Sequence, residues 1–241
     1  MDKIDLFEVS KTYNAMAEVW DLNDTWHWIT HEMIMSFIWK SINEIPNNKN
    51  IKILNAGSAG NSYDLNEKNI VHTDIAKNKI RHLPNSILSN IEDIPLKSNS
   101  FDLIICVGSV INYCDPIRVF DEFNRLLIRK GHIIIEFESS CTFELLGKEN
   151  FNKKVVLTDT FYNGRTERLW YFSELYMQEL ASNFNLKIYD RNKCHLVSPL
   201  IYRLLKKEKF AAHFAKLDDL FLKIPLVNRF ASNVIYLLKK D

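Results

Sequence analysis

Phe101-Asp102-Leu103-Ile104-Ile105-Cys106-Val107 is the stretch that most restricts how this chain can fold. So continuous an apolar run leaves no solvent face, which marks a strand covered on both sides within a parallel sheet. His132-Ile133-Ile134-Ile135-Glu136-Phe137 is a second such run. Between the two, Ile117 to Arg129 carries helical period and Lys130-Gly131 ends it. Ile51 to Asn55 and Asn69 to Thr73 read as shorter strands upstream, and Leu186 to Tyr189 and Val234 to Leu238 as strands downstream. Strands alternating with helices define an α/β fold, a doubly wound, Rossmann-like and mostly parallel sheet.

At 241 residues, 46% hydrophobic and 25% charged, the chain suits one domain over 1–241. Residues 1–50 form a helical cap or lid, 51–140 a ligand-binding core, and 141–241 the opposite half with a helical insertion at about 199–230. The net charge of +1, from 31 basic and 30 acidic residues, provides no global field for nucleic acid and argues against it as a partner. Cys106, Cys114, Cys141 and Cys194 are far apart and lack metal-ligand spacing, so they read as free thiols of a reducing compartment. Asp2 and Asp5 stand where a signal peptide would be basic, and no apolar run approaches the roughly 20 residues of a membrane span. The expectation is a cytoplasmic protein with no transmembrane segment. Arg203, Lys206, Lys207 and Lys209 lie amid Leu204, Leu205 and Phe210. That mixture suits peripheral contact with a membrane or an anionic substrate, or else a solvated helix face.

The first strand breaks into Asn55-Ala56-Gly57-Ser58-Ala59-Gly60-Asn61, in a chain with only six glycines. Small residues clustered there let the backbone turn sharply and approach a ligand closely. The second strand ends at Asp74, where nucleotide-type sites place an acid on ribose hydroxyls. Asp2 to Ile45 reads as helical up to the polar break at Pro46 to Asn50. It is dense in large rings; Phe37 and Trp39 suit the core, whereas Tyr13, Trp20, Trp26, His27 and Trp28 suit either the core or a lid over a pocket. Gly164 to Tyr171 suggests another strand, Phe143 to Tyr162 is irregular or strand-like, and Ser173 caps a helix from Glu174 to Phe184.

These features stand in a fixed order with Glu92-Asp93-Ile94-Pro95-Leu96, with Phe101-Asp102 and with Asp115-Pro116. In that combination the chain resembles the class I S-adenosylmethionine-dependent methyltransferases, over roughly Tyr13 to Phe137. The resemblance implies a seven-stranded sheet of the methyltransferase type, S-adenosylmethionine as cofactor and a small-molecule methyl acceptor. It implies cofactor contacts from Tyr13, from Asn55, Ala56, Gly57, Ser58 and Ala59 of the loop, and from Asp74 and Ile75. Asn90 and Ile91 would meet the adenine, and Val107 and Gly108 would follow the fourth strand. The family usually has an acid at Asn55 and a glycine at Ala59. A catalytically silent cofactor-binding partner, or an RNA or protein methyltransferase, therefore stand as alternatives.

Methyl transfer needs in-line approach and exclusion of water, and a base only where the nucleophile must lose a proton. In open α/β sheets ligands sit beyond the carboxyl ends of the strands. Asn112 and Tyr113, with Ser109, follow the fourth strand, and Glu136 and Glu138 close the fifth, so these are the catalytic candidates. Trp170, Tyr171 and the Leu200 to Phe230 insertion are expected to wall the substrate side, and their aromatic and apolar content suits O- or N-methylation of a moderately hydrophobic small molecule, such as a biosynthetic, glycosylated or lipid-linked intermediate. Either acid is equally suited to pairing with Arg165 or Arg168. His27 and His31 lack a carboxylate or cysteine partner, and no metal is expected.

Overall fold

The computed structural model describes residues 4–21, 23–46, 50–162, 165–205 and 207–241. Seven strands form one sheet in the order β3-β2-β1-β4-β5-β9-β8. They are β1 (Ile53–Ala56), β2 (Ile70–Asp74), β3 (Ser86–Leu88), β4 (Phe101–Cys106), β5 (Leu127–Glu138), β8 (Leu186–Cys194) and β9 (Asn233–Lys240). All neighbours are parallel except that β9 runs antiparallel to both β5 and β8. The chain winds outward from β1 through β2 to β3, then crosses back to β4, so the switch point lies between β1 and β4. Ligands bind at that opening in sheets of this kind.

Alternation along the central strands divides the core. Leu54, Ile104, Cys106, Ile133 and Ile135 face one side, with Phe120, Phe123 and Leu126 of α4 (Pro116–Leu126) and Met177 and Leu180 of α5 (Glu174–Asn183). Ile53, Leu103, Ile105 and Ile134 face the other, beneath Ile34, Phe37, Ile38 and Ile42 of α2 (Thr25–Glu44). Burial of each such side chain contributes roughly 1.5–3 kcal/mol. Helix starts follow local chemistry: Asp115 caps α4 ahead of Pro116, accepting from the Ile117 amide at 2.9 Å, and Ser173 caps α5, accepting from Tyr176 at 3.2 Å.

Several expectations need correction. The N-terminal region is two helices, α1 (Leu6–Ala15) and α2, joined by a non-helical segment that carries Trp20. Asp24 caps the second helix by accepting from the Trp26 amide at 2.8 Å, which fixes its start. Trp39 is 39% exposed and not a core residue. The helix expected to run to Arg129 ends at Leu126, because residues from Leu127 pair with β4; Lys130, and not Gly131, takes the left-handed φ of 65°. No regular helix other than a 3₁₀ turn at Glu67–Asn69 joins the loop after β1 to β2.

Beyond Ser140 the chain leaves the sheet. A ribbon of β6 (Val155–Tyr162) and β7 (Arg165–Phe172) folds back over the carboxyl end of β5, held where the Ser140 amide donates to Phe172 O at 3.0 Å. The insertion is a series of short helices, α6 (Val197–Leu205), α7 (Glu208–His213), α8 (Asp218–Phe221) and α9 (Pro225–Asn228). The α3 helix (Lys77–Ile80) completes the set. Gly164, Lys206, the 47–49 break and the side chains of Arg165 and Lys209 lie outside the described residues. Among the described residues, no helix is long and apolar enough to cross a membrane.

Candidate active site

The loop after β1 is braced from within. Gly57 and Ser58 amides donate to Thr73 O at 2.8 and 3.2 Å, and the Ala59 amide donates to Asp74 Oδ2 at 2.7 Å. Gly57 has φ +73°, and a Cβ there would lie 2.4 Å from Val110 Cγ1, so only glycine fits. Asp74 also accepts the Ala76 amide at 2.7 Å. Burial raises its pKa, against the lowering effect of the Ala76, Ala59 and Ile75 amides.

A narrow pocket of about 70 Å³ opens at this loop. Tyr13, Gly57, Ser58, Ala59, Asp74, Ile75, Asn90, Ile91, Val107 and Gly108 all line it. Asn55 and Ala56 do not. The Asn55 side chain is 1% exposed and donates its amide to Asn61 O at 2.7 Å, so it shapes the loop from behind. Ala56, 1% exposed, packs into the core beside Leu54. Leu6, Val9, Val19, Trp20, Tyr63, Ser89, Val110, Tyr113 and Cys114 complete the wall.

The residues fit a nucleoside cofactor on two observations. Gly57 and Gly108, at φ +73° and +78°, let the backbone of both loops turn sharply along the pocket wall, with Val110 and Trp20 packed where a Cβ would stand. Asp74 stands at the second strand's end with lone pairs beyond the two amides it accepts. The 70 Å³ of free space is well below the roughly 300 Å³ at which ligand pockets begin. Tyr13 and Trp20, both of the N-terminal segment, line this pocket.

A second cavity of about 560 Å³ adjoins the first, and Tyr13, Val19, Trp20, Gly108 and Tyr113 line both. Trp20 sits over Gly108, where a Cβ would come within 3.3 Å of its ring. His27 and His31 meet the Trp20 ring edge-on at 6.0 and 5.3 Å between centroids. His31 Nε2 is 3.1 Å from Asn61 Nδ2, so this pair positions an aromatic side chain. Of the ring candidates, Tyr13, Trp20, Trp26 and His27 line the cavity, whereas Trp28 is 43% exposed and absent from the lining.

Among the catalytic candidates, the structure brings Tyr113 and Glu138 to this cavity, with Ser109. Tyr113 donates to Glu167 Oε2 at 2.8 Å and stands 3.3 Å, hydroxyl to hydroxyl, from Tyr13. Burial raises the pKa of both tyrosines, and the Glu167 carboxylate adds to it. Glu138 is hydrogen-bonded by Tyr171; burial pushes its pKa up to about 8, with Glu144 and Glu136 adding to the shift.

Asn112 and Glu136 are corrections. Asn112 is fully buried, donates to Trp170 O at 2.6 Å and accepts the Glu138 amide at 3.2 Å, so both ends of its amide pin the ribbon to β5. Glu136 is fully buried, accepting from the Ser109 amide at 2.5 Å and from Asn233 Nδ2 at 2.6 Å. It holds the turn after β4 and does not reach the cavity. Arg168 lies 3.7 Å from Asp159 across the ribbon and pairs with neither acid.

Tyr171 and, from the helical insertion, Tyr202 reach the cavity wall as expected, whereas sequence reasoning missed Glu144, Thr160, Glu167, Leu169 and His195 there. Glu167, Leu169 and Tyr171 alternate along β7 and share its inner face, a period-two signal present in the sequence. Trp170, expected on the same wall, points into the core for the same reason. His195 has φ +57° in the turn before α6, and its Nε2 lies 2.6 Å from Thr30 Oγ1. Burial, with His27 adding to it, holds its pKa down to about 3, so the ring is neutral.

Residues 54–135 match a family model described as a methyltransferase domain. Over 126 residues the chain is 28% identical to the uncharacterised protein MJ0638 of Methanocaldococcus jannaschii, covering 50% of this chain and 55% of that protein. The chain thus spans about half the length of that curated relative. In fold it is similar to the PH0226 protein of Pyrococcus horikoshii, with a TM-score of 0.60 at 14% identity over 96% of this chain and 99% of that one. It is also similar to the 1,6-didemethyltoxoflavin-N1-methyltransferase of Burkholderia thailandensis, crystallised with S-adenosylhomocysteine. There the TM-score is 0.55 at 10% identity, over 100% of this chain and 92% of that chain.

Proposed function

We propose that the chain, whose residues 54–135 match a methyltransferase domain, is an S-adenosylmethionine-dependent methyltransferase that methylates a small-molecule acceptor, at oxygen or nitrogen, held in the larger cavity. The observation that carries this reading is the shared boundary of the two cavities. Tyr13, Trp20, Gly108 and Tyr113 wall both, so a ligand in the narrow pocket and one in the larger cavity would meet there.

Gly57, Ser58 and Ala59 would lie along the cofactor's amino-acid portion, Asp74 would accept its ribose hydroxyls, and Asn90 with Ile75 and Ile91 would hold its adenine. When bound, that cofactor supplies an electrophilic methyl group on a sulfonium. Tyr13 and Trp20 are displaced to admit it and then cover it, which excludes water from the transfer. Tyr113 orients the acceptor at the boundary, and Glu138 takes a proton where the nucleophile carries one.

The amide at Asn55 does not weigh towards a silent protein, because it braces the loop and does not line the pocket. Calorimetry with S-adenosylhomocysteine tests the cofactor half: saturable 1:1 binding is expected, and none would overturn the reading. Incubation with methyl-labelled S-adenosylmethionine and fractionated metabolites tests the acceptor half. Label is expected in a low-molecular-weight fraction, and transfer only to macromolecules would overturn it.

A further inference from the structure

The larger cavity is one-sided in charge. Glu18, Asp21, Glu138, Glu144 and Glu167 line it, and among the described residues no lysine or arginine does. This is notable in a chain of 31 basic and 30 acidic residues. These acids line a partly open cavity of about 560 Å³ that also presents Trp26, Tyr113, Tyr171 and Tyr202.

The acids nearest the boundary with the cofactor pocket are also held in place. Tyr113 donates to Glu167 at 2.8 Å and Tyr171 bonds Glu138, so two tyrosine hydroxyls aim two carboxylates into the same region. Glu138 and Glu167 both line the cavity, and Glu167 reaches its boundary with the narrow pocket through Tyr113, whose hydroxyl stands 3.3 Å from that of Tyr13. Burial favours the protonated form of Glu138, and a cation seated beside it favours the carboxylate, so these acids select a cation over an anion. Aromatic faces add attraction for the same charge.

Resting on the methyltransferase reading above, we propose that the acceptor is a cationic amine with an aromatic or apolar body, its nitrogen seated between Glu138 and Glu167. The acceptor enters as an ammonium ion, and one proton passes to the Glu138 carboxylate. The freed lone pair on nitrogen forms the new C–N bond as the methyl carbon's bond to sulfur breaks. The pair from that bond stays on sulfur, giving a thioether and an N-methylated ammonium product. The proton on Glu138 then leaves to solvent.

The test uses the full chain saturated with S-adenosylhomocysteine and three probes of one skeleton: tryptamine, tryptophol and indole-3-acetate. Their binding is followed by ligand-observed NMR. Tryptamine is expected to bind at least tenfold more tightly than tryptophol, with indole-3-acetate weakest. Glu167→Gln and Glu138→Gln should each cut the preference for tryptamine severalfold, with S-adenosylhomocysteine affinity within twofold of the parent as the check on folding. Glu167→Asp should restore part of the preference. Tryptophol or indole-3-acetate binding as tightly as tryptamine, or tryptamine failing to bind, overturns the cationic acceptor and leaves the methyltransferase reading standing. A chain that does not bind S-adenosylhomocysteine removes the reading on which the proposal rests.

Discussion

The hydroxyl of Tyr113 donates to the Glu167 carboxylate at 2.8 Å, tying the turn after β4 to the ribbon that walls the larger cavity. The bond joins residues 54 positions apart and lies at the boundary between the two cavities. Tyr113→Phe keeps the ring and removes the donor. A hydrogen bond to a charged group contributes about 1.5–3 kcal/mol. The expected outcome is a fall in kcat/KM of roughly tenfold to a hundredfold, with S-adenosylhomocysteine affinity nearly unchanged. Steady-state kinetics alongside calorimetry would check this.

Gly57 and Val110 meet where the loop after β1 crosses the turn after β4, and a Cβ at Gly57 would overlap Val110 at 2.4 Å. Gly57→Ala therefore incurs both the left-handed backbone cost of about 1–2 kcal/mol and an overpacking cost of about 1–3 kcal/mol. Adding Val110→Ala removes the two Cγ overlaps, leaving Cβ of residue 110 at 3.0 Å, but not the backbone cost. The double variant should lose less stability than the sum of the singles, by about 1 kcal/mol or more. Urea unfolding of the four proteins in the cycle measures that coupling.

Glu138 has its pKa pushed up to about 8 by burial, so in the folded protein it keeps a proton that the unfolded chain releases near its ordinary 4.5. Between those values the folded state binds more protons, so stability falls as pH rises, by at most about 1.4 kcal/mol per pH unit from this group. The stabilisation is complete at acid pH and lost as pH climbs through about 8. Glu138→Gln should flatten that slope in denaturant titrations between pH 5 and 8. In its proposed role as proton acceptor the residue works only when ionised, so kcat/KM for the parent should rise over the same range and the variant should lose that rise.

What the sequence discloses depends on whether local pattern determines position. Ile104 and Ile134 lie in runs with no polar face, and such runs can only be interior strands, so the sheet is legible from them. Gly57 and Gly108 are legible because their backbone conformations exclude side chains. Asn112 and Glu136 look like site residues because they sit at carboxyl ends of strands, yet each spends its polar atoms on backbone or amide partners inside the fold. Their direction is set by the ribbon and by β9, both distant in sequence. His195 and Glu144 reach the cavity from irregular segments, and no periodicity marks them. Glu167 could have been found from the alternation of β7, but only once that ribbon is known to fold over β5.

Asn55 shows how a family comparison can misplace a residue's task. It occupies the position at which methyltransferases of this class usually carry an acid, so restoring an aspartate looks like a repair. Here the side chain is 1% exposed and its amide donates to Asn61 O at 2.7 Å. An aspartate has no proton to give. Ionised, it would face a carbonyl oxygen with its charge buried; protonated, it would pay the cost of holding that proton at neutral pH. A buried acceptor left without its donor costs about 1–3 kcal/mol, and more when a charge is involved. Asn55→Asp is therefore expected to destabilise the fold by at least about 2 kcal/mol, to lower Tm by several degrees, and to weaken cofactor binding because the loop from Gly57 to Asn61 loses its brace. The destabilisation should shrink as pH drops and the aspartate becomes protonated. Thermal unfolding at pH 5 and pH 8 checks the sign, and an Asn55→Asp protein as stable as the parent at pH 8 would show that the Asn61 contact carries no weight in the loop.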